Sequence, residues 1–89
     1  MRLVIVEFKN KSRLPLIGEL IDDSEDQIII CHIGIYDNFH KDKITWSTDD
    51  FWKFINKEGF PILKEHIESY YNPSQTLCDY FLSHYQEHC

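Results

Sequence analysis

Ten residues, Gln27–Tyr36 (QIIICHIGIY), limit the possible folds more than any other stretch. Five of the ten are isoleucine, and no charged residue other than a histidine interrupts them. A run this short and this rich in β-branched side chains reads as a strand, because Ile packs well on a pleated surface and loses rotamer freedom in a helix. Strand alternation would place Ile28, Ile30, His32, Gly34 and Tyr36 on one face and Ile29, Cys31, Ile33 and Ile35 on the other. The second set is wholly apolar and is the expected core face. The first is mixed and is expected to be only partly covered.

The segments before this run look like its partners. Arg2–Phe8 (RLVIVEF) is a short β-branched stretch with Val4, Val6 and Phe8 on one face and Leu3 and Ile5 on the other. With both faces apolar, that strand should be covered on both sides. Leu14–Ile21 is a second strand, with Pro15 at its start and Gly18 marking a bulge or bend. Asp22–Asp26 is an acidic turn, Asp37–Lys43 a loop, and Ile44–Trp46 a short fourth strand.

Beyond Ser47 the pattern becomes helical. Ser47, Asp49 and Asp50 suit the capped start of a helix over about Thr48–Lys57, which would bury Phe51, Trp52 and Ile55. Gly59 fits its C-terminal cap. Pro61 then opens a second predicted helix, Pro61–Tyr71, on the spacing of Leu63, Ile67 and Tyr70. Asn72 and Pro73 introduce a third, running to about Glu87 with the stripe Leu77, Cys78, Phe81, Leu82 and Tyr85.

The expected fold is therefore α+β within a single domain, 1–89. A small N-terminal antiparallel sheet, or a partly open SH3-like barrel of about four strands (1–47), precedes three α-helices packed on it (48–89). The first half resembles SH3-like and Sm-like small barrels, through Gly18-Glu19-Leu20 and the turn at Asp26. The likeness covers half of the chain, and the RNA-contacting signatures of the Sm-like family are missing.

Charge narrows the partners. Fifteen acidic residues against nine basic ones give a net charge of −6, and no Lys or Arg follows Lys64. A binder of phosphate backbones needs a clustered positive surface, so direct nucleic-acid binding is not expected. No stretch approaches the roughly 20 apolar residues of a membrane span, and no secretory leader is recognisable. Three cysteines in no framework spacing point to a reduced, cytoplasmic setting.

No catalytic constellation is present, so the chain is not expected to be an enzyme and no cofactor is implied. The acidic turn lacks the glycine and the terminal glutamate of a calcium loop, Gln27 standing where the glycine would be. His84 and His88 share a helix face. Cys78 and Cys89, however, are eleven residues apart, about 16 Å along a helix, so one helix cannot close a four-ligand site. Cys31 and His32, adjacent in a strand, should point to opposite faces and not act together. No metal site is expected.

What is left is an acidic, tyrosine-bearing surface. The candidate partner-binding residues are Glu65, Glu68, Asp79, Tyr80, Ser83 and Gln86 on the predicted helices, with Asp22, Asp23, Glu25 and Asp26 in the turn. Tyrosine contributes contact area at low entropic cost, and carboxylates steer association with a basic partner. The reading is a small non-enzymatic module docking a basic surface of another protein, in the manner of immunity proteins or phage-encoded inhibitors of nucleic-acid-processing enzymes. The alternatives are a homo-oligomeric (for instance homodimeric) accessory domain and a small-barrel RNA-binding protein.

Overall fold

The structure is a computed structural model that describes residues 2–46 and 50–88. Four strands fill the first half: β1 (Leu3–Phe8), β2 (Leu16–Asp23), β3 (Gln27–Asp37) and β4 (Lys43–Trp46). Helix α1 (Asp50–Glu58) follows, then β5 (Phe60–Leu63), a 3-10 turn (Lys64–His66), β6 (Ile67–Tyr71) and helix α2 (Gln75–His88). The capping expected of Ser47 and Asp49 lies outside the described residues.

The expectation of about four strands followed by three helices is overturned. The sheet has six antiparallel strands, and the described residues form two α-helices and one 3-10 turn. The predicted helix over Pro61–Tyr71 is β5, the turn and β6. Leu63, Ile67 and Tyr70 do recur at helical spacing, but Ile62 is buried between exposed Pro61 and Leu63, which is strand alternation. Pro61 lies opposite Ile29 in β5, a strand paired with β3 alone, where a missing backbone donor is tolerated. The β-branched and aromatic residues of this segment also meet an unmet demand. One flank of β1 and the first half of β3 need hydrogen-bonding partners, which β6 and β5 provide.

The strand path is β4-β3-β2-β1-β6, with β5 on the β4 side of β3. Since β5 and β6 are joined by only three residues, the sheet must curl until its two ends meet. Lys64 N–H bonds to the carbonyl of Asp26, and Lys9 N–H to the carbonyl of His66, so the turn ties both ends together.

Curling creates an inside and an outside. The inner cluster holds Val4, Val6, Phe8, Leu16, Ile28, Ile30, Ile33, Ile62 and Ile67, closed by Ile55 of α1 with Trp52 against it. On the outside, Leu77 and Phe81 of α2 pack on Leu3, Ile5, Ile17, Tyr36 and Ile44. As expected, β1 is covered on both faces. Each fully buried Leu or Phe contributes about 1.5–3 kcal/mol relative to exposure, so Leu77 and Phe81 between them account for much of the attachment of α2. Its start is set by Ser74, not by Asn72: the Ser74 hydroxyl accepts from Leu77 N–H at 3.3 Å, and the Ser74 carbonyl accepts from Cys78 N–H at 2.9 Å. Gly59 ends α1 as expected, with φ +95° and its N–H on the carbonyl of Ile55.

One residue resets β3. His32 has φ 53°, in the left-handed region. Ile17 faces Gly34 while Glu19 faces Cys31, so His32 and Ile33 together stand opposite the single residue Gly18. This bulge shifts the alternation by one. Ile28 and Ile30 point inward before it, and Ile33 after it. The expected core set Ile29, Cys31, Ile33, Ile35 is corrected accordingly: Ile29 lies on the outer side, and Ile28 and Ile30 take the core.

Gly34 lies where β3 meets β4. A Cβ there would come 2.4 Å from Ile44 Cγ2 and 3.2 Å from the Trp46 ring. Gly34→Ala is expected to cost about 1–3 kcal/mol through overpacking, read as a lower urea midpoint with an unchanged slope.

Candidate functional site

Bulges decide which side chains reach the surface at the β2–β3–β5 junction. Leu20 pairs with Ile30 and Asp22 with Ile29, which leaves Ile21 as an extra residue on β2. It is 51% exposed. Ile29 lies opposite Asp22 on one side and Pro61 on the other, and Gln27 lies opposite Leu63, which is 45% exposed. Ile21 Cδ1 and Ile29 Cγ2 both come within 2.8 Å of where a Gly59 Cβ would stand, so the strip from Ile21 through Ile29 and Gly59 to Pro61 and Leu63 is continuous. Gly59 thus serves twice, as a helix cap and as the gap that lets two isoleucines close over it.

Carboxylates edge this strip. Asp22, Glu25 and Asp26 are exposed, and none has an ion-pair partner among the described residues. Asp23 is different. It binds Lys64 Nζ at 2.7 Å and accepts from the Tyr70 hydroxyl at 2.9 Å. The Lys64 hydrogen bond, then that of Tyr70, holds its carboxyl below the usual range. Asp23 therefore fastens the acidic turn to β6 and the 3-10 turn.

The remaining sequence-predicted residues fall into separate places. Glu65 follows Lys64 and lies 3.6 Å from His66. Glu68 is the extra residue of a bulge in β6, where Glu7 pairs with Ser69 and Phe8 with Ile67, and it pairs with Lys11. Both were expected on a helix that is absent here. Asp79, Tyr80 and Ser83 are exposed on α2, which lies over a different part of the sheet, and Asp79 accepts from Gln75 Nε2 at 2.9 Å. The side chain of Gln86 lies outside the described residues. Glu65 and Glu68 thus lie on the turn and β6 while Asp79, Tyr80 and Ser83 lie on α2, and exposed apolar side chains adjoin carboxylates in both places, Ile21 and Leu63 beside the acidic turn and Tyr80 and Leu82 beside Asp79.

Two further features escaped the sequence reading. The loop between β3 and β4 is held in shape by Asp37, which accepts from Phe39 N–H at 2.9 Å and His40 N–H at 3.2 Å. The Tyr36 hydroxyl adds a 2.5 Å bond to Asp42. Burial, reinforced by Asp42, raises the Tyr36 phenol pKa. This loop presents Phe39 at 91% exposure beside a groove of about 500 Å³ lined by Lys41, Lys43, Thr76 and Tyr80.

The second feature is a cluster of Glu19, Cys31 and His32, whose donor atoms all lie within 4.8 Å of one another. The Cys31 thiol donates to Glu19 Oε2 at 3.5 Å, and His32 Nε2 lies 3.7 Å from the same oxygen. Opposite orientation of Cys31 and His32 was expected; the positive φ of His32 cancels the alternation that would have separated them. The thiol thus meets a carboxylate of the neighbouring strand. The available signal was Gly18 beside Glu19: a Cβ at Gly18 would lie 2.9 Å from the Cys31 carbonyl, so its absence lets β2 and β3 approach.

No known protein family, characterised protein or solved structure matches this chain. Among the described residues no helix is long and apolar enough to cross a membrane.

The Asp23 contacts carry a pH signature. Its pKa is lowered on folding, so its contribution to stability is present above the ordinary carboxylate pKa and is lost as pH falls through the lowered folded value. Asp23→Asn should be less stable than wild type at neutral pH, with the gap closing below about pH 4. Urea unfolding across that range checks it.

Proposed function

We propose that the protein is a non-enzymatic binding module that docks a basic surface of another protein through the outer side of the β2–β3–β5 junction. One observation carries the reading: the exposed apolar strip of Ile21, Pro61 and Leu63 lies against Asp22, Glu25 and Asp26, carboxylates without a described counter-ion. An apolar centre with a charged rim is the usual anatomy of a protein interface. The rim selects the partner's sign, and the net charge of −6 extends that selection by long-range steering.

A cationic surface built to hold phosphates is a natural complement, since carboxylates can stand where phosphates would lie. An inhibitor or immunity-type role toward a nucleic-acid-processing enzyme follows from that chemistry. Direct RNA binding is disfavoured by the same charges. Self-association through this strip would set like carboxylates against each other, which opposes a homodimer there. A cytoplasmic setting is consistent with Cys31 and Cys78, neither of which is in a disulfide.

The test is affinity capture on the immobilised full chain at low and high salt. An Ile21→Ser/Leu63→Ser variant and an Asp22→Asn/Glu25→Gln/Asp26→Asn variant are run beside it. A partner with a basic surface should be held at low salt, released at high salt, and weakened roughly tenfold or more by either variant. Equal retention by wild type and both variants, or capture of an acidic partner alone, would sink the proposal. Light scattering should find a monomer; a dimer dispersed by the Ile21→Ser/Leu63→Ser variant would assign the strip to a second copy instead.

A further inference from the structure

We infer that Glu19, Cys31 and His32 form a binding site for a thiophilic divalent cation, Zn²⁺ in the first place. The argument begins with the donor set. A thiol, an imidazole and a carboxylate are the three side chains that Zn²⁺ takes as ligands, and three protein ligands with a fourth position left to solvent is a common arrangement for it. Sulfur and nitrogen donors disfavour Mg²⁺ and Ca²⁺, which prefer all-oxygen shells.

Spacing comes next. Bond lengths of about 2.3 Å to sulfur, 2.0–2.1 Å to nitrogen and 2.0–2.2 Å to oxygen set donor–donor separations of about 3.4–3.6 Å in a tetrahedron. Glu19 Oε2 stands 3.5 Å from Cys31 Sγ and 3.7 Å from His32 Nε2, and the third separation is within 4.8 Å. The site therefore needs only small side-chain adjustments to close on an ion.

Backbone geometry accounts for the convergence. Adjacent residues in a regular strand cannot offer donors to one point, yet here His32 takes φ 53° and its ring reaches the oxygen that the Cys31 thiol reaches. A non-glycine residue in that region is strained, and such outliers gather at functional sites. Glu19 enters from the neighbouring strand, directly opposite Cys31. The surroundings also suit a cation. Cys31 is buried, and the His32 and Glu19 side chains are each 24% exposed, so the ligands are largely withdrawn from water while an entry path remains. Among the described residues the ion-pair partner of Glu19 is His32 itself, with no Lys or Arg competing for the carboxylate. On binding, the Cys31 thiol releases its proton to solvent and the sulfur binds as thiolate.

The test uses the reduced full chain titrated with Zn²⁺ against a chromophoric chelator, and with Co²⁺ as a spectroscopic probe. One ion per chain is expected, and the Co²⁺ form should show near-ultraviolet thiolate-to-metal charge transfer with the strong visible bands of a four-coordinate ion. Cys31→Ser should remove the charge-transfer band. Glu19→Gln should keep the band and weaken Zn²⁺ at least tenfold, since even outer-shell partners cost about 10–100-fold. His32→Gly should also weaken Zn²⁺ at least tenfold while folding normally, because glycine adopts the positive φ without strain; its circular dichroism checks this. A Cys78→Ser/Cys89→Ser variant should bind as wild type does. A band that survives in Cys31→Ser, or that disappears in Cys78→Ser/Cys89→Ser, overturns the site, as does Zn²⁺ affinity unchanged by Glu19→Gln and His32→Gly.

Discussion

Every other strand but two is hydrogen-bonded to β3. It pairs with β2 along one edge and with β5 and then β4 along the other, while β1 and β6 are reached only through β2. Along that edge β3 serves β5 at 27–30 and β4 at 34–37, and it bends between them. The bend is the bulge at His32, where the chain accepts an unfavourable φ of 53°. The local cost of about 1–2 kcal/mol is small beside the burial it permits. Ile28 and Ile30 before it, and Ile33 after it, all reach the inner core because the phase slips by one between them. Without the slip, one half of β3 would turn its isoleucines outward.

That slip also marks the limit of what the sequence could show. The four N-terminal strands, the helix ending at Gly59 and the helix containing Leu77 and Phe81 are all recognisable from periodicity and from turn or cap residues. The face assignment along Gln27–Tyr36 is not, because strict alternation has no means of representing an inserted residue. Gly18 did hint at a bulge, yet the extra residue lies on the strand opposite. The segment Pro61–Tyr71 was misread for a different reason. Its helical spacing is a coincidence of three residues, and the evidence for strands lay in the unfilled hydrogen-bonding edges of β1 and β3, which are facts about the sheet as a whole. Glu65 and Glu68, expected on that helix, lie instead on the 3-10 turn and β6. The Glu19–Cys31–His32 cluster was hidden by the same assumption of alternation.

Charge arrangement follows from topology as well. Acidic residues that look contiguous in the sequence take different roles once the sheet curls. Asp23 is drawn to Lys64 and Tyr70, where it fixes the junction of two elements distant in the chain. Its neighbours Asp22, Glu25 and Asp26 stay exposed without such partners among the described residues. Ion pairs this exposed contribute little individually, so the stabilising role of Asp23 rests on its two simultaneous partners. The unpaired carboxylates add repulsion to the free protein, a cost consistent with a surface whose complement lies on another molecule.

The length of α2 explains why the outer side of the sheet is covered in one place and open in another. Fourteen residues make a rod of about 21 Å, whereas the eleven residues of β3 alone extend over roughly 36 Å before bending. Leu77 and Phe81 anchor the rod on Tyr36 and Ile44, at the C-terminal half of β3. The stacking of His84 on Trp46, which pairs with Gly34, brings the last turns of α2 to within two residues of His32. The outer side beyond that point, where Ile29 lies between Asp22 and Pro61, holds no residue of the buried cluster that Leu77 and Phe81 join. The bulge at His32 therefore divides the outer surface: one half belongs to the fold, held by α2, and the other is left as an apolar strip with an acidic edge. The Glu19–Cys31–His32 cluster lies on the boundary between them, where a bound cation would tie β2 to β3 at the point on which both halves depend.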